Sequence, residues 1–148
     1  MKRLEPVSKI MTTDLITLSL YDDLYKAEKL FKKHHIRHIP VVDNHHIVGM
    51  LNLSDLKKIS FLDAFDSNEI RVDNVVYKML NVEHIMVKNP IPVQVNATIK
   101  SVVEILAEND FHALPVVDKN ELVGIVTTTD LLKYLLKQYE IEASELTN

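Results

Sequence analysis

Ile39-Pro40-Val41-Val42-Asp43, followed by Val48-Gly49-Met50-Leu51-Asn52-Leu53-Ser54-Asp55, decides the fold, because both stretches return later in the chain. Seventy-five residues on stand Leu114-Pro115-Val116-Val117-Asp118 and Val123-Gly124-Ile125-Val126-Thr127-Thr128-Thr129-Asp130. Outward from these the register holds without a gap, Val7–Lys58 lying on Val82–Lys133. Val7, Ile10 and Met11 fall on Val82, Ile85 and Met86, and Ile16 falls on Ile91. Unequal pairs exchange like for like, as in Leu24/Ile99, Phe31/Leu106 and Ile36/Phe111. Agreement over so long a span marks two copies of one structural unit. The chain therefore divides into a first repeat (7–58), a linker (59–81), a second repeat (82–134) and a C-terminal extension (135–148).

Periodicity changes in a fixed order inside each repeat. Asp14–Leu18 reads as a short strand, and Leu24, Ala27, Leu30 and Phe31 recur at helical steps over Asp22–His34. Asp22 and Asp23 then sit near the positive end of the helix dipole. Ile39–Val42, β-branched but for Pro40, reads as a buried strand, Asp43–His46 as a turn and Ile47–Leu51 as a second strand. Ser54 or Asp55 can cap a helix starting at Leu56. The second repeat predicts a helix over Thr98–Glu108, strands over Leu114–Val117 and Leu122–Val126, and a helix from Asp130 to Glu140 with an apolar face of Leu131, Leu132, Leu135 and Leu136. Asp73–Leu80 in the linker reads as further helical turns. The order β-α-β-β-α, twice, predicts an α/β (α+β) fold. One unit alone buries too little, so the two are expected to pack about a pseudo-twofold axis and leave two symmetric clefts.

Composition narrows the function classes. The 148 residues are 47% apolar and 26% charged with a net charge of −4, ordinary for a globular domain and unsuited to holding nucleic acid through a bulk field. Gly49 and Gly124 are the only glycines, which excludes a glycine-rich phosphate loop. There is no cysteine, hence no disulfide framework or thiolate metal site. No signal-peptide pattern or membrane-length apolar run is seen, and the expected location is cytoplasmic. Five histidines cluster at His34, His35, His38, His45 and His46. His38 already belongs to a strand, and no Cys or helix-borne Glu completes a tetrahedral set, so no metal site is expected. No nucleophile elbow, His-Glu-x-x-His or paired-carboxylate arrangement points to an enzyme.

The Ile-Met pairs at Ile10-Met11 and Ile85-Met86, the two apolar-Pro-Val-Val-Asp strands, and Gly-x-x-x-x-x-Asp at Gly49–Asp55 and Gly124–Asp130 together resemble the tandem pair of cystathionine-β-synthase (CBS) domains, the Bateman module. The resemblance covers nearly the whole chain. It is similar in arrangement to small bacterial CBS proteins of the acetoin-utilisation type. It implies a non-catalytic regulatory module that binds adenosine ligands (AMP, ADP, ATP or S-adenosylmethionine) in its clefts. It further implies a homodimer that signals in trans to a regulated protein, with an adenosine nucleotide as regulatory ligand and no required cofactor; the acidic net charge gives no support for nucleic acid as a partner, and the lack of a membrane-length apolar run none for a membrane. The alternative is a dimerisation scaffold with empty clefts.

The resemblance also implies site residues. Asp130 and Asp55 would accept hydrogen bonds from the ribose hydroxyls, with Thr127 facing the nucleotide and Asn52 standing in the equivalent place. Residues just before Pro-Val-Val would supply the other wall. Arg37 and His38 would meet phosphates opposite Thr127 and Asp130, while His112 and Ala113 would stand opposite Asn52 and Asp55. Adenine would read backbone groups at Ile16-Thr17 and Ile91-Pro92, with Leu51 and Val126 as lining. Pro92 has no N–H to donate.

Overall fold

A proline opposite the leading strand of each sheet keeps that strand short. In this computed structural model, which describes residues 4–65 and 72–148, β1 is only Leu18–Ser19. It is followed by α1 (Leu24–His34) and by β2 (His38–Asp43), to which β1 runs parallel with Leu18 beside Val41. The strand expected over Asp14–Leu18 is thus corrected. One step upstream the chain would face Pro40, which cannot donate to the ladder, and Asp14–Thr17 approach as irregular backbone. Helix α1 begins at Leu24 rather than Asp22 because Asp23 is extended and caps it, accepting from the Lys26 N–H at 2.7 Å. Asp22 accepts instead from the Ser19 N–H at 2.8 Å.

The hairpin from β2 to β3 (His46–Asn52) closes through two residues, Asn44 and His45, at φ 46° and 73°. A two-residue loop with both centres left-handed matches the twist of the strands it joins, and asparagine tolerates that region. Helix α2 (Leu53–Phe65) starts three residues earlier than expected, so Ser54 and Asp55 lie inside its first turn. The helical turns expected at Asp73–Leu80 are α3 (Val72–Met79); linker residues 66–71 lie outside the described residues. The short α4 (Val82–Ile85) and β4 (Val87–Lys88) follow, β4 adding to the edge of β3.

The second sheet repeats the first. It contains β5 (Val93–Gln94), α5 (Ile99–Glu108, capped by Thr98), β6 (Ala113–Asp118) and β7 (Glu121–Thr127). The β6–β7 hairpin turns through Lys119 and Asn120 at φ 49° and 65° and carries its register shift at Val116/Val117, as β2–β3 does at Val41/Val42. The last helix, α6, spans Thr128–Leu146 and so starts before and ends after the predicted Asp130–Glu140. Among the described residues no helix is long and apolar enough to cross a membrane.

The chain forms two compact units that are offset from its sequence repeats: Ile16–Pro90 is one, and Met1–Leu15 with Ile91–Asn148 is the other. In the first, Leu18, Leu24, Phe31, Ile39, Leu51 and Leu56 bury against Val82, which opens the second repeat. In the other, Val93, Val102, Leu114, Val116 and Val126 bury against Val7, which opens the first. Val7 and Val82 are both wholly buried. Each is worth about 1.5–3 kcal/mol of apolar transfer, which anchors these leading segments. The Val82 N–H donates to the Asp22 carbonyl at 3.0 Å, and the Val7 N–H to that of Ala97 at 2.7 Å. The two glycines are explained by the same arrangement. The Met86 side chain lies across Gly49, and the Met11 side chain across Gly124, where a Cβ would intrude.

Candidate functional site

The expected site residues gather where a hairpin ends and the next helix begins. In the unit containing Ile91–Asn148, Ala113 pairs with Thr127 across β6–β7, and the Thr128 N–H donates to the His112 carbonyl at 3.0 Å. His112, Ala113, Thr127 and Asp130 are thereby held at one strand–helix junction. Ile91, which is exposed, and Pro92 precede β5 as irregular chain. In the unit Ile16–Pro90, His38 pairs with Asn52, and the Leu53 N–H donates to the Arg37 carbonyl at 2.9 Å. Arg37, His38, Asn52 and Asp55 are therefore joined in the same way. Ile16 and Thr17 lead into β1, Thr17 exposed and Ile16 half-buried. The structure groups Arg37 and His38 with Asn52 and Asp55, and His112 and Ala113 with Thr127 and Asp130, each set within its own unit.

The two junctions differ in what their carboxylates have left to offer. Thr127 is the N-cap of α6: its Oγ1 accepts from the Asp130 N–H at 3.2 Å, and Asp130 Oδ2 accepts from the Thr127 N–H at 2.9 Å and its hydroxyl at 3.0 Å. This is a reciprocal capping box, with the aspartate as its third helical residue rather than the cap itself. Both bonds converge on Oδ2, so Oδ1 has no partner among the described residues and projects as an acceptor from a half-buried, fixed carboxylate. In the other junction Asp55 Oδ2 accepts from Asn52 Nδ2 at 3.3 Å, while Oδ1 faces Lys58 Nζ at 3.7 Å. Asn52 Oδ1 is in turn 3.0 Å from His38 Nδ1. Asn52, where the other repeat has threonine, thus draws His38 into the local network and occupies one Asp55 oxygen, the other lying within ion-pair distance of Lys58. Arg37 and His112 have exposed side chains.

Among the described residues no group of three His, Cys, Asp or Glu gathers in metal-binding geometry. One feature had no local signal in the sequence. An open groove of about 610 Å³ is lined by Tyr25, Glu28, Lys29, Lys32, Lys33 and Tyr77. Tyr25 and Tyr77 meet edge to face with ring centroids 5.0 Å apart. The lysines read as the solvated face of α1, and Tyr77 comes from a helix some fifty residues away.

Comparison with known proteins matches the CBS-domain model to residues 7–61 and 82–137. The curated protein MJ1225 of Methanocaldococcus jannaschii is 33% identical over 134 residues, covering 88% of this chain and 47% of its own length. The chain thus spans about half of that relative. The crystal structure of MJ1225 superposes with a TM-score of 0.76 at 28% identity, over 91% of this chain and 49% of that one. The Vibrio cholerae structure assigned to acetoin utilization (AcuB) gives a TM-score of 0.76 at 25% identity, over 95% and 97% of the two chains. The CBS domain pair of MJ0100, in complex with 5′-methylthioadenosine and S-adenosyl-L-methionine, gives a TM-score of 0.70 at 26% identity, over 88% and 98%.

Proposed function

The chain belongs to the CBS-domain family, and on that premise we propose that it is a non-catalytic regulatory module that binds adenosine nucleotides. The observation that carries this reading is the open Oδ1 of Asp130, held at a helix start by Thr127. A carboxylate already bonded through one oxygen is pre-oriented to accept from two vicinal ribose hydroxyls through the other. The MJ0100 pair, similar over most of this chain, carries two adenosine compounds, which supports the ligand class. In this reading Asp130 and Thr127 hold the ribose. Arg37 and His38, held beside Asn52 and Asp55 in the other unit, offer cationic and hydrogen-bonding groups for phosphate or a charged 5′ substituent there. Backbone at Ile16-Thr17 and Ile91-Pro92 receives adenine beside Leu51 and Val126. His112 and Ala113 flank Asp130 at its own junction, while Asn52 and Asp55 form the second, weaker set, because Asp55 already meets Asn52 and Lys58. The module works as a cytoplasmic homodimer and reports occupancy in trans to a separate regulated protein.

A thermal-shift panel of AMP, ADP, ATP, S-adenosylmethionine and 5′-methylthioadenosine tests the reading. A ligand present at a hundred times its Kd stabilises by about 2.7 kcal/mol, which for a chain of this size raises Tm by roughly 5–10 °C. Asp130→Ala removes the response. A melt unmoved by every one of these compounds at millimolar concentration overturns the proposal and leaves a scaffold role.

A further inference from the structure

Helix α1 carries a concentration of positive charge that its own unit does not neutralise. The open groove of about 610 Å³ beside it has Tyr77 of α3 at its base, 3% exposed, and Tyr25 of α1 at its side, 40% exposed. Lys29, Lys32 and Lys33 line it against one carboxylate, Glu28, which pairs with Lys32. Lys29 and Lys33 are exposed and have no ion-pair partner among the described residues. They stand four residues apart on the helix, where like charges repel. The helix dipole favours Lys33 in the last turn but does not reach back to Lys29.

The second repeat shows that the fold does not demand this face. Seventy-five residues on, the places of Tyr25, Glu28, Lys29, Lys32 and Lys33 are taken by Lys100, Val103, Glu104, Ala107 and Glu108. There Lys100 pairs with Glu104, and acid outnumbers base. Tyr77 comes from the linker and has no counterpart in the second repeat. The basic, aromatic groove thus belongs to the first repeat alone, in a chain whose net charge is −4.

Shape and charge together select the occupant. Sites for small ligands enclose most of the ligand's surface, whereas this groove is open. It suits a length of chain that lays carboxylates on the lysines and an apolar side chain on Tyr25, tyrosine giving a large contact area at little entropic cost. We propose that the groove between α1 and α3 docks an acidic segment of a partner protein, one in which carboxylates alternate with apolar side chains. That the partner is the regulated protein rests on the trans-acting reading above; the groove itself stands on its lining.

Fluorescence anisotropy of a short labelled peptide alternating glutamate and leucine, added to the full chain without nucleotide, tests the proposal. The same peptide with glutamine for glutamate is expected to bind about tenfold more weakly or worse. Lys29→Glu with Lys33→Glu weakens the glutamate peptide about tenfold or more, and the milder Lys29→Gln with Lys33→Gln about threefold or more, with thermal unfolding confirming that both variants fold. Tyr25→Ala weakens it about fivefold or more. Lys133→Glu with Lys137→Glu changes total charge equally on α6 and leaves binding within about twofold. Equal binding of the two peptides, or equal effects of the α1 and α6 variants, overturns the groove. Displacement of the peptide by millimolar pyrophosphate, at an ionic strength where sulfate does not displace it, overturns the peptide in favour of a small anion. Sedimentation that shows the α1 variants shifted in oligomeric state overturns it in favour of a second copy. Nucleotide response is read separately by thermal shift: peptide binding without it counts against the ligand reading alone, and a nucleotide response without peptide binding counts against the groove alone.

Discussion

Met11 and Gly124 are packed so closely that a Cβ on Gly124 would stand 2.6 Å from the Met11 sulfur and 3.2 Å from the Thr12 carbonyl oxygen. That carbonyl is not free to retreat, because it accepts from the Ile125 N–H at 3.0 Å while the Thr12 N–H donates back to Ile125 at 2.8 Å. Gly49 differs: its close neighbours are all atoms of the Met86 side chain, which can rotate. Neither glycine has positive φ, so the cost of alanine is steric and not conformational. Gly124→Ala is expected to lose about 1–3 kcal/mol and Gly49→Ala less. Urea unfolding of the two variants measures the difference, and equal losses would mean that the Thr12 carbonyl yields after all.

The same pairs show where the sequence was legible and where it was not. Repetition of Pro40/Pro115, Gly49/Gly124 and Asp55/Asp130 in one register revealed two like units, because identical local chemistry produces identical hairpins and helix starts. Local pattern carries no record of which sheet a leading segment joins. Val7 and Val82 read alike, and only long-range burial sends each into the core of the other repeat. The length of the leading strand is hidden for a related reason: Asp14–Thr17 have strand-like composition, but the next rung of the ladder, at Thr17, would fall on Pro40. The carboxylates of the site were legible as residue types. Their unequal freedom was not, since it depends on whether Asn52 or Thr127 stands three residues earlier and on whether Lys58 folds back to Asp55.

Tyr134 ties the start of the chain to α6. Its hydroxyl donates to Glu5 Oε2 at 2.5 Å, and this hydrogen bond to a carboxylate, with some desolvation and the carboxylate's charge, raises the phenol from 10.0 to about 12. The folded state therefore holds the proton more tightly than the unfolded chain. Its contribution is fully present below pH 10 and is lost as pH rises through about 12. Tyr134→Phe is expected to lower stability at neutral pH by about 1–2 kcal/mol, the worth of a hydrogen bond to a charged acceptor. The variant should also lack the part of the alkaline decline that belongs to this phenol. Urea titrations between pH 8 and 11.5 check both; a variant whose decline parallels the parent's would show that the phenol does not drive it.

Helix capping gives a prediction in which the two repeats provide controls for each other. Asp23 accepts from the Lys26 N–H at 2.7 Å, and Thr98 from the Ser101 N–H at 3.1 Å, in equivalent places. Asp23→Ala and Thr98→Ala should each cost about 0.5–2 kcal/mol. The aspartate should cost more at low ionic strength, since only it adds a charge at the positive end of the helix. Adding salt to the melts should bring the two losses together; losses that stay apart would remove the dipole from the explanation.

Asp130 carries two duties that a single substitution can separate. As the third residue of α6 it accepts from the Thr127 N–H and hydroxyl through Oδ2. As a proposed ribose acceptor it uses the other oxygen. Asparagine keeps one carbonyl oxygen of the same reach, so Asp130→Asn retains much of the cap, but it replaces the second oxygen by an NH₂ that donates where the hydroxyls need an acceptor. Asp130→Ala loses both. The expectation is that Asp130→Ala destabilises the free protein by about 1–2 kcal/mol and abolishes the nucleotide-induced rise in Tm. Asp130→Asn should leave the free protein within about 0.5 kcal/mol of the parent, yet weaken adenosine-nucleotide affinity tenfold or more. Asp55→Asn should weaken it less, because Asn52 and Lys58 already occupy that carboxylate. Calorimetric titration beside thermal unfolding reads the two quantities independently. If nucleotide affinity follows the stability of the free protein across these variants, rather than the chemistry of the outward atom, Asp130 is a cap and nothing more.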